Sequence, residues 1–316
     1  MITLLERKTL TMNRVERFKK WAEYRTWPMG YYHLVVESFE KGELFNNDSQ
    51  FAAGMNTVAL AQFVFKVVIM VFDLMVNHAH FLVRCTGSSA VDFFISFKKR
   101  INSVLVADGF PPLPDDLGFK LIPIDVNDPY QLKDVAVYIP RNPYKANSRI
   151  TPSGYIWSSN YLIFSDLSKL IQKRPLKDYP TSRMRKVLKS KTVLPEDYLF
   201  NENLGIILPE SYVATTDVER IIGTSWSYCD RIVRNMDAYV RIAEKVGDRI
   251  VINDNELGTI IYSICKNKYG VKSYLELSLK DRCSLAVRLA KEYHIEPKRV
   301  CRKLSIERSV LEDLLR

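Results

Sequence analysis

Residues 31–38, YYHLVVES, are rich in aromatic and β-branched side chains and predict a strand, and the polar run at 41–48 predicts the turn that ends it. The apolar spacing of 49–66 suits a helix, and the continuous apolar run VVIMVFDLM at 67–75 suits a buried strand. Val76-Asn77 then predicts a tight turn and HAHFLVRC, 78–85, the returning strand. Residues 90–109 repeat apolar positions at helical spacing with a basic outer face, and Gly109 is placed to stop that helix. GFKLIPIDV, 118–126, reads as a further strand. Asp128 followed by Pro129 reads as an N-cap and first helical residue, opening a helix to about Asn142. The order β-α-β-β-α-β-α predicts an α+β layer, a ferredoxin-like antiparallel sheet with helices on one face.

After residue 210 the strand texture fades and an all-α region is expected. Ser278 with Asp281 forms an S-x-x-D capping box for a helix running to about Glu292. Pro297 opens a second helix ending near Leu304, and Glu307–Leu315 forms a third. Val300, Leu304, Ile306, Val310 and Leu314 fall where a helix-turn-helix at about 277–316 would bury its contacts. Lys298, Arg299, Arg302, Lys303, Arg308 and Ser309 would then be exposed to DNA backbone or base edges, whereas a protein-interaction module is the plainer alternative.

Charge changes this picture at one place. Among the 316 residues 46 are Lys or Arg and 36 Asp or Glu, and residues 168–192 alone hold nine Lys or Arg against one Asp. A polyanion would be drawn to Lys173, Arg174, Arg183, Arg185 and Lys186 by counterion release, although a solvated connector has the same composition. With Pro175 and Pro180 interrupting it, the segment suggests a boundary. The expected organisation is a leader at 1–30, a catalytic domain at 31–165, a basic linker at 166–210 and a helical DNA-binding domain at 211–316. A 47% hydrophobic composition argues against disorder. Five cysteines without a CxxC pair argue against a disulfide framework or a thiolate zinc site. Charges scattered through the first twenty residues predict no signal peptide, and Gln62, Lys66 and Asp73 break the most apolar stretch, so a cytoplasmic chain without a membrane partner is expected.

The candidate chemistry begins with histidine. Of four in the chain, His78 and His80 stand one residue apart on a predicted strand, whose two-residue period turns both to the same face. Such a pair suits one divalent cation, or is incidental to a half-buried strand. Met75-Val76-Asn77-His78-Ala79-His80-Phe81-Leu82 resembles the MPNHxHxL signature of HUH-type single-tyrosine transposases, especially their REP-associated group. Tyr138-Ile139-Pro140-Arg141-Asn142-Pro143-Tyr144-Lys145-Ala146 is similar to the Y-I-x-x-N-P-x-K-A pattern of that family, and Tyr155-Ile156-Trp157-Ser158-Ser159 to its aromatic-serine tail. The resemblance covers about residues 30–165, and the basic segment and terminal helices are similar to longer bacterial members.

The resemblance implies that Tyr138 is a nucleophile and that Asn142, one helical turn away, is an oxygen ligand beside His78 and His80 for Mg²⁺ or Mn²⁺. It implies DNA transposition by strand cleavage and transfer through a 5′-phosphotyrosine on single-stranded or hairpin DNA, with duplex bound at the helix-turn-helix. A nucleoid-associated location and a monomer or homodimer go with this. Arg84, Lys98, Lys99 and Arg100 are placed to hold a nucleic-acid backbone, or are solvated surface charge. Glu37 and Asp73 are candidate auxiliary ligands or bases; His33 and His294 read as structural or surface residues, and Cys85 as core. Two departures stand out: Val76 replaces the family's proline, and Pro140, two residues after Tyr138, predicts a kinked or shortened helix. The competing readings are a catalytically impaired, domesticated DNA-binding protein derived from such a transposase, and an RNA-binding sheet without metal.

Overall fold

The apolar runs of the first half form four strands, β1 (Gly30–Glu37), β2 (Val68–Leu74), β3 (His78–Cys85) and β4 (Phe119–Pro123), in one sheet of order β2-β3-β1-β4 with every pair antiparallel. This computed structural model describes residues 14–37, 42–147 and 149–316. The chain divides into two units, 1–225 and 226–316, each with buried apolar residues of its own. It is a mixed α+β protein, and among the described residues no helix is long and apolar enough to cross a membrane.

The two faces of the sheet differ in chemistry because strand side chains alternate. Ala79, Phe81 and Val83 of β3 join Leu34 and Val36 of β1 in the main hydrophobic cluster, while His78, His80 and Leu82 take the opposite face. In β2 the pairing slips between Ile69 and Val71. That extra residue resets the alternation, so Ile69, Phe72 and Leu74 all enter the cluster while Asp73 lies opposite His80. Without the slip, Phe72 would face the histidines and Asp73 the core.

Helices α2 (Asp48–Phe65) and α3 (Gly87–Ala107) pack together on the hydrophobic face, where Phe81 meets Phe93 and Phe97 at centroid distances of 5.3 and 5.8 Å. Helix α4 (Gln131–Ala146) packs on β2 and β3, and its Tyr138 ring touches the histidines, so it lies on the other face. The sheet is therefore covered on both faces instead of one. The physical reason is that the histidine face also carries Val35, Val71 and Leu82, all fully buried. Helix α4 starts later than expected: Tyr130 is its N-cap, and the Asp128 carboxylate accepts from the Tyr130 N–H in a preceding turn. It also runs on through Pro140 and Pro143 to Ala146, with ten consecutive residues, Asp134 to Pro143, buried. Packing on all sides offsets the hydrogen bond that Pro140 removes from the Ala136 carbonyl.

The segment expected as a basic linker is folded into the first unit. Leu176, Tyr179, Met184, Leu188, Leu194, Phe200, Ile206, Ile207 and Leu208 belong to the main cluster, around a small sheet of β5 (Arg174–Pro175), β6 (Leu199–Asn201) and β7 (Ile206–Ile207) and the helix α5 (Thr181–Leu188). Its lysines and arginines stand outward while these apolar residues point in. The expected leader contains α1 (Arg14–Arg25), which packs on α3, and residues 1–13 lie outside the described residues. After α6 (Thr215–Ile222) the second unit is helical: α7 (Ser225–Arg234), α8 (Met236–Val246), α9 (Asp254–Ile264), α10 (Leu279–Glu292), α11 (Pro297–Leu304) and α12 (Arg308–Leu315). Ser278 caps α10 by accepting from the Asp281 N–H. Val300, Leu304 and Ile306 are buried as expected, but Val310 and Leu314 are exposed and Leu311 is the buried residue of α12. Ser305, in the left-handed region, ends α11, and the break lets α12 start with its own burial pattern.

Gly87 marks a close approach between α3 and the end of α1, since a Cβ there would lie 1.8 Å from the Tyr24 carbonyl oxygen. Gly87→Ala should therefore destabilise the first unit by about 1–3 kcal/mol. A urea titration of the full chain, read by tryptophan fluorescence, would show a lowered midpoint; an unchanged midpoint would contradict this close approach.

Candidate functional site

Strand β3 presents His78 and His80 on the face beneath α4, and the antiparallel register sets Val35 of β1 and Asp73 of β2 on either side of His80. His33 pairs with Leu82, two residues along, so its ring lies diagonal to His80. Its Nε2 is 3.1 Å from Nδ1 of His80. The ring centroid of Tyr138 is 5.7 Å from that of His80 and 5.9 Å from that of His33, edge to face in both cases. His78 lies 5.0 Å from His80 between ring centroids. Three imidazoles and one phenol thus converge under α4. His33, Asp73, His80 and Tyr138 are all at most 2% exposed, whereas His78 is partly open.

On sequence alone His33 reads as a structural or surface residue; the fold instead places it against both Tyr138 and His80. Its signal is a polar residue inside an apolar strand, which becomes a site residue only once β1 is known to pair with β3. Asp73, a candidate base, is fully buried beside His80. Glu37 pairs in register with His78, but its side chain lies outside the described residues. His294 bonds Glu244 at 2.6 Å on the surface of the second unit.

Residues 157–159 add to the free edge of β2. The Leu74 N–H donates to the Trp157 carbonyl and the Ser159 N–H to that of Phe72, each at 3.0 Å. Tyr155 donates its hydroxyl to the Leu74 carbonyl at 2.6 Å. Burial, and then the negative charge of Asp73, push the Tyr155 phenol well above its ordinary value, so it stays protonated. Burial likewise pushes the Cys85 thiol up to about 12, which makes it an inert core residue.

The donor chemistry here fits a divalent cation. Nδ1 of His78 lies 2.8 Å from Oδ1 of Asn77; in the tautomer where Nδ1 donates that bond, Nε2 is the nitrogen with the lone pair. Asn142, one turn beyond Tyr138, is 8% exposed, and its amide nitrogen has no hydrogen-bond partner. Turning that amide about its Cβ–Cγ axis puts an oxygen in the same position. Among the described residues no three His, Cys, Asp or Glu are gathered as a metal group.

The other candidates divide. Arg84 is exposed on the histidine face, where it pairs with Tyr31 and Val68. Lys98, Lys99 and Arg100 belong to α3, on the opposite face, so they do not line a groove with Tyr138. Lys98 donates to the Pro114, Asp115 and Leu117 carbonyls at 2.9–3.0 Å, holding the loop before β4. Arg100 donates to the Leu188 carbonyl at 2.6 Å, and burial lowers its pKa. Lys173 pairs with Glu210 at 2.7 Å, and Arg183 with Glu202 at 2.6 Å, while Arg174, Arg185 and Lys186 are exposed. In the second unit Arg299 donates to the Ile252 carbonyl and to Asp254, pinning α11 to the start of α9. Arg308 bonds Glu312, and Ser309 bonds Glu307, on their own helix end. Lys298, Arg302 and Lys303 stand exposed along α11, Arg302 with only a 3.7 Å ion pair to Asp254.

Comparison with known proteins returned no matching family model, no matching curated protein and no matching solved structure.

Lys98→Met should cost about 1–2 kcal/mol of stability, since three carbonyls lose a charged donor. Chemical denaturation of the full chain would check this. An unaltered midpoint would contradict the role of Lys98 in holding the loop before β4.

Proposed function

We propose that this protein is a divalent-cation-dependent DNA strand transferase of the HUH transposase type, whose first unit is a ferredoxin-like catalytic domain and whose second binds duplex DNA. The observation that carries this reading is the position of Tyr138 against His80, with His78 beside it, under one helix that also carries Asn142. The strand order β2-β3-β1-β4, antiparallel throughout, supports the ferredoxin-like assignment.

The chemistry follows from the groups present. The Tyr138 Oη attacks the phosphorus of a phosphodiester in single-stranded or hairpin DNA, where the backbone is free to adopt an in-line geometry. A P–O bond to tyrosine forms as the P–O3′ bond breaks, the phenolic proton passes to water, and the 3′ oxygen leaves as a hydroxyl. One phosphodiester has replaced another, so the reverse attack by a 3′-hydroxyl needs no nucleotide cofactor. Mg²⁺ or Mn²⁺ held by Nε2 of His78 and His80 and the Asn142 amide oxygen would supply neutralisation of phosphate charge. The edge-to-face packing of Tyr138 on His33 and His80 fixes the direction of its hydroxyl, which removes orientational freedom before substrate arrives.

One observation favours a second reading. Tyr138 is 2% exposed and α4 is buried all round, so a phosphodiester reaches the hydroxyl only if α4 gives way. A protein in which α4 stays closed would bind DNA without cutting it. RNA recognition on an open sheet is disfavoured, because α4 covers the face where bases would stack.

The full chain should be incubated with Mn²⁺ and hairpin oligonucleotides labelled at the 3′ end, then resolved on a denaturing gel. The strand-transfer reading predicts label retained on the protein with wild type and none with Tyr138→Phe, which keeps the ring packing. No adduct with any hairpin supports the binding-only reading, and an adduct persisting in Tyr138→Phe places the nucleophile elsewhere. For the second unit, replacing Lys298, Arg302 and Lys303 together by Ala should lower the salt slope of duplex binding by about 0.9 for each phosphate that is no longer neutralised. An unchanged slope would remove α11 from the interface.

A further inference from the structure

We propose that His33 is a positioning residue, a third imidazole that holds the Nδ1 edge of His80 and so turns Nε2 of His80 toward the cation position. Its functional consequence rests on the strand-transfer reading; the clamp itself does not. Each imidazole of the pair is held at the same atom. Nδ1 of His78 meets the Asn77 amide oxygen at 2.8 Å, and Nδ1 of His80 meets Nε2 of His33 at 3.1 Å. Both rings therefore point their Nε2 edges away from a protein partner at Nδ1. A histidine that ligates a metal through one nitrogen characteristically gives the N–H of the other to a partner that fixes tautomer and ring orientation. Asn77 supplies that partner from the adjoining turn; His80 lies deeper, flanked by Asp73 of β2, and it is His33 of β1 whose Nε2 meets its Nδ1.

The location of His33 suits a clamp. Strand β1 is interior to the sheet, paired with β3 on one side and β4 on the other, and His33 is 1% exposed. The ring planes of His33 and His80 are tilted by 35° at a centroid distance of 5.2 Å, while His33 meets Tyr138 edge to face. One residue thus touches both the cation-side imidazole and the nucleophile. A shared N–H between two imidazoles has two arrangements. If His80 donates from Nδ1, its Nε2 is a lone-pair donor; if His33 donates, Nε2 of His80 carries the proton and cannot ligate. The proposal requires the first.

Long-range ¹H–¹⁵N correlation spectra of the full chain, labelled at histidine and recorded without metal at about pH 8 where an ordinary imidazole is neutral, read the tautomer directly. Wild type should show His80 protonated at Nδ1 and bare at Nε2, and His33→Leu should shift His80 toward the Nε2–H form. Mn²⁺ affinity measured by calorimetry should fall about 10–100-fold in His33→Leu. His33→Gln, whose amide oxygen accepts the same N–H, should restore most of it, with circular dichroism confirming that both variants fold. A wild-type His80 protonated at Nε2, or unchanged Mn²⁺ affinity in His33→Leu, overturns the clamp; the wild-type spectrum decides even if His33→Leu does not fold. Absence of a covalent DNA adduct in a protein whose His80 is clamped as described would instead count against strand transfer alone.

Discussion

The two-residue period of a β-strand governs this molecule. It separates His78 and His80 from Ala79 and Phe81 and so gives one sheet two unlike faces, an aromatic core on one side and a polar cluster on the other. The slip in β2 between Ile69 and Val71 extends that separation to the edge strand, keeping Phe72 in the core and Asp73 beside His80. A polar cluster of this kind cannot face the sheet's other helices, which bring phenylalanines, and α4 has to cover it. Helix α4 buries Arg141 and Asn142 along with its apolar residues.

Covering the cluster has a consequence for activity. A phenol sealed beneath a helix is well oriented and poorly accessible, and the same packing that lets α4 tolerate Pro140 and Pro143 holds it down. Orientation and access therefore oppose each other at Tyr138. The proposed reaction requires α4 to be the element that yields, which is a reason for prolines to lie within it: each removes one backbone hydrogen bond from the helix and lowers the cost of local opening.

Local features are legible in the sequence, and features that depend on pairing are not. His78 and His80 share a face by strand period alone, whereas Tyr138 and Asn142, one helical turn apart, are singled out only by their resemblance to the Y-I-x-x-N-P-x-K-A pattern. His33 is singled out by neither, because its role appears only when β1 is laid against β3 with a two-residue offset. The basic segment misleads for a related reason. Its nine lysines and arginines dominate the composition, while Leu176, Met184 and Leu188, which seat it in the core, are too widely spaced to outweigh them in a one-dimensional reading. Lys98 and Arg100 look like surface charge because their carbonyl partners are distant in sequence. In α12 the buried residue is Leu311 and not Val310, because spacing read along the chain does not set how a new helix begins after the break at Ser305.

The central claim is that paired imidazoles and an amide oxygen meet at one cation beside a phenol. Anomalous diffraction from crystals of the full chain grown with Mn²⁺ tests it most directly. The account predicts a manganese peak within bonding distance of Nε2 of both His78 and His80, on the α4 side of the sheet and next to Asn142. Manganese found only elsewhere, or absent at saturating concentration, would contradict it.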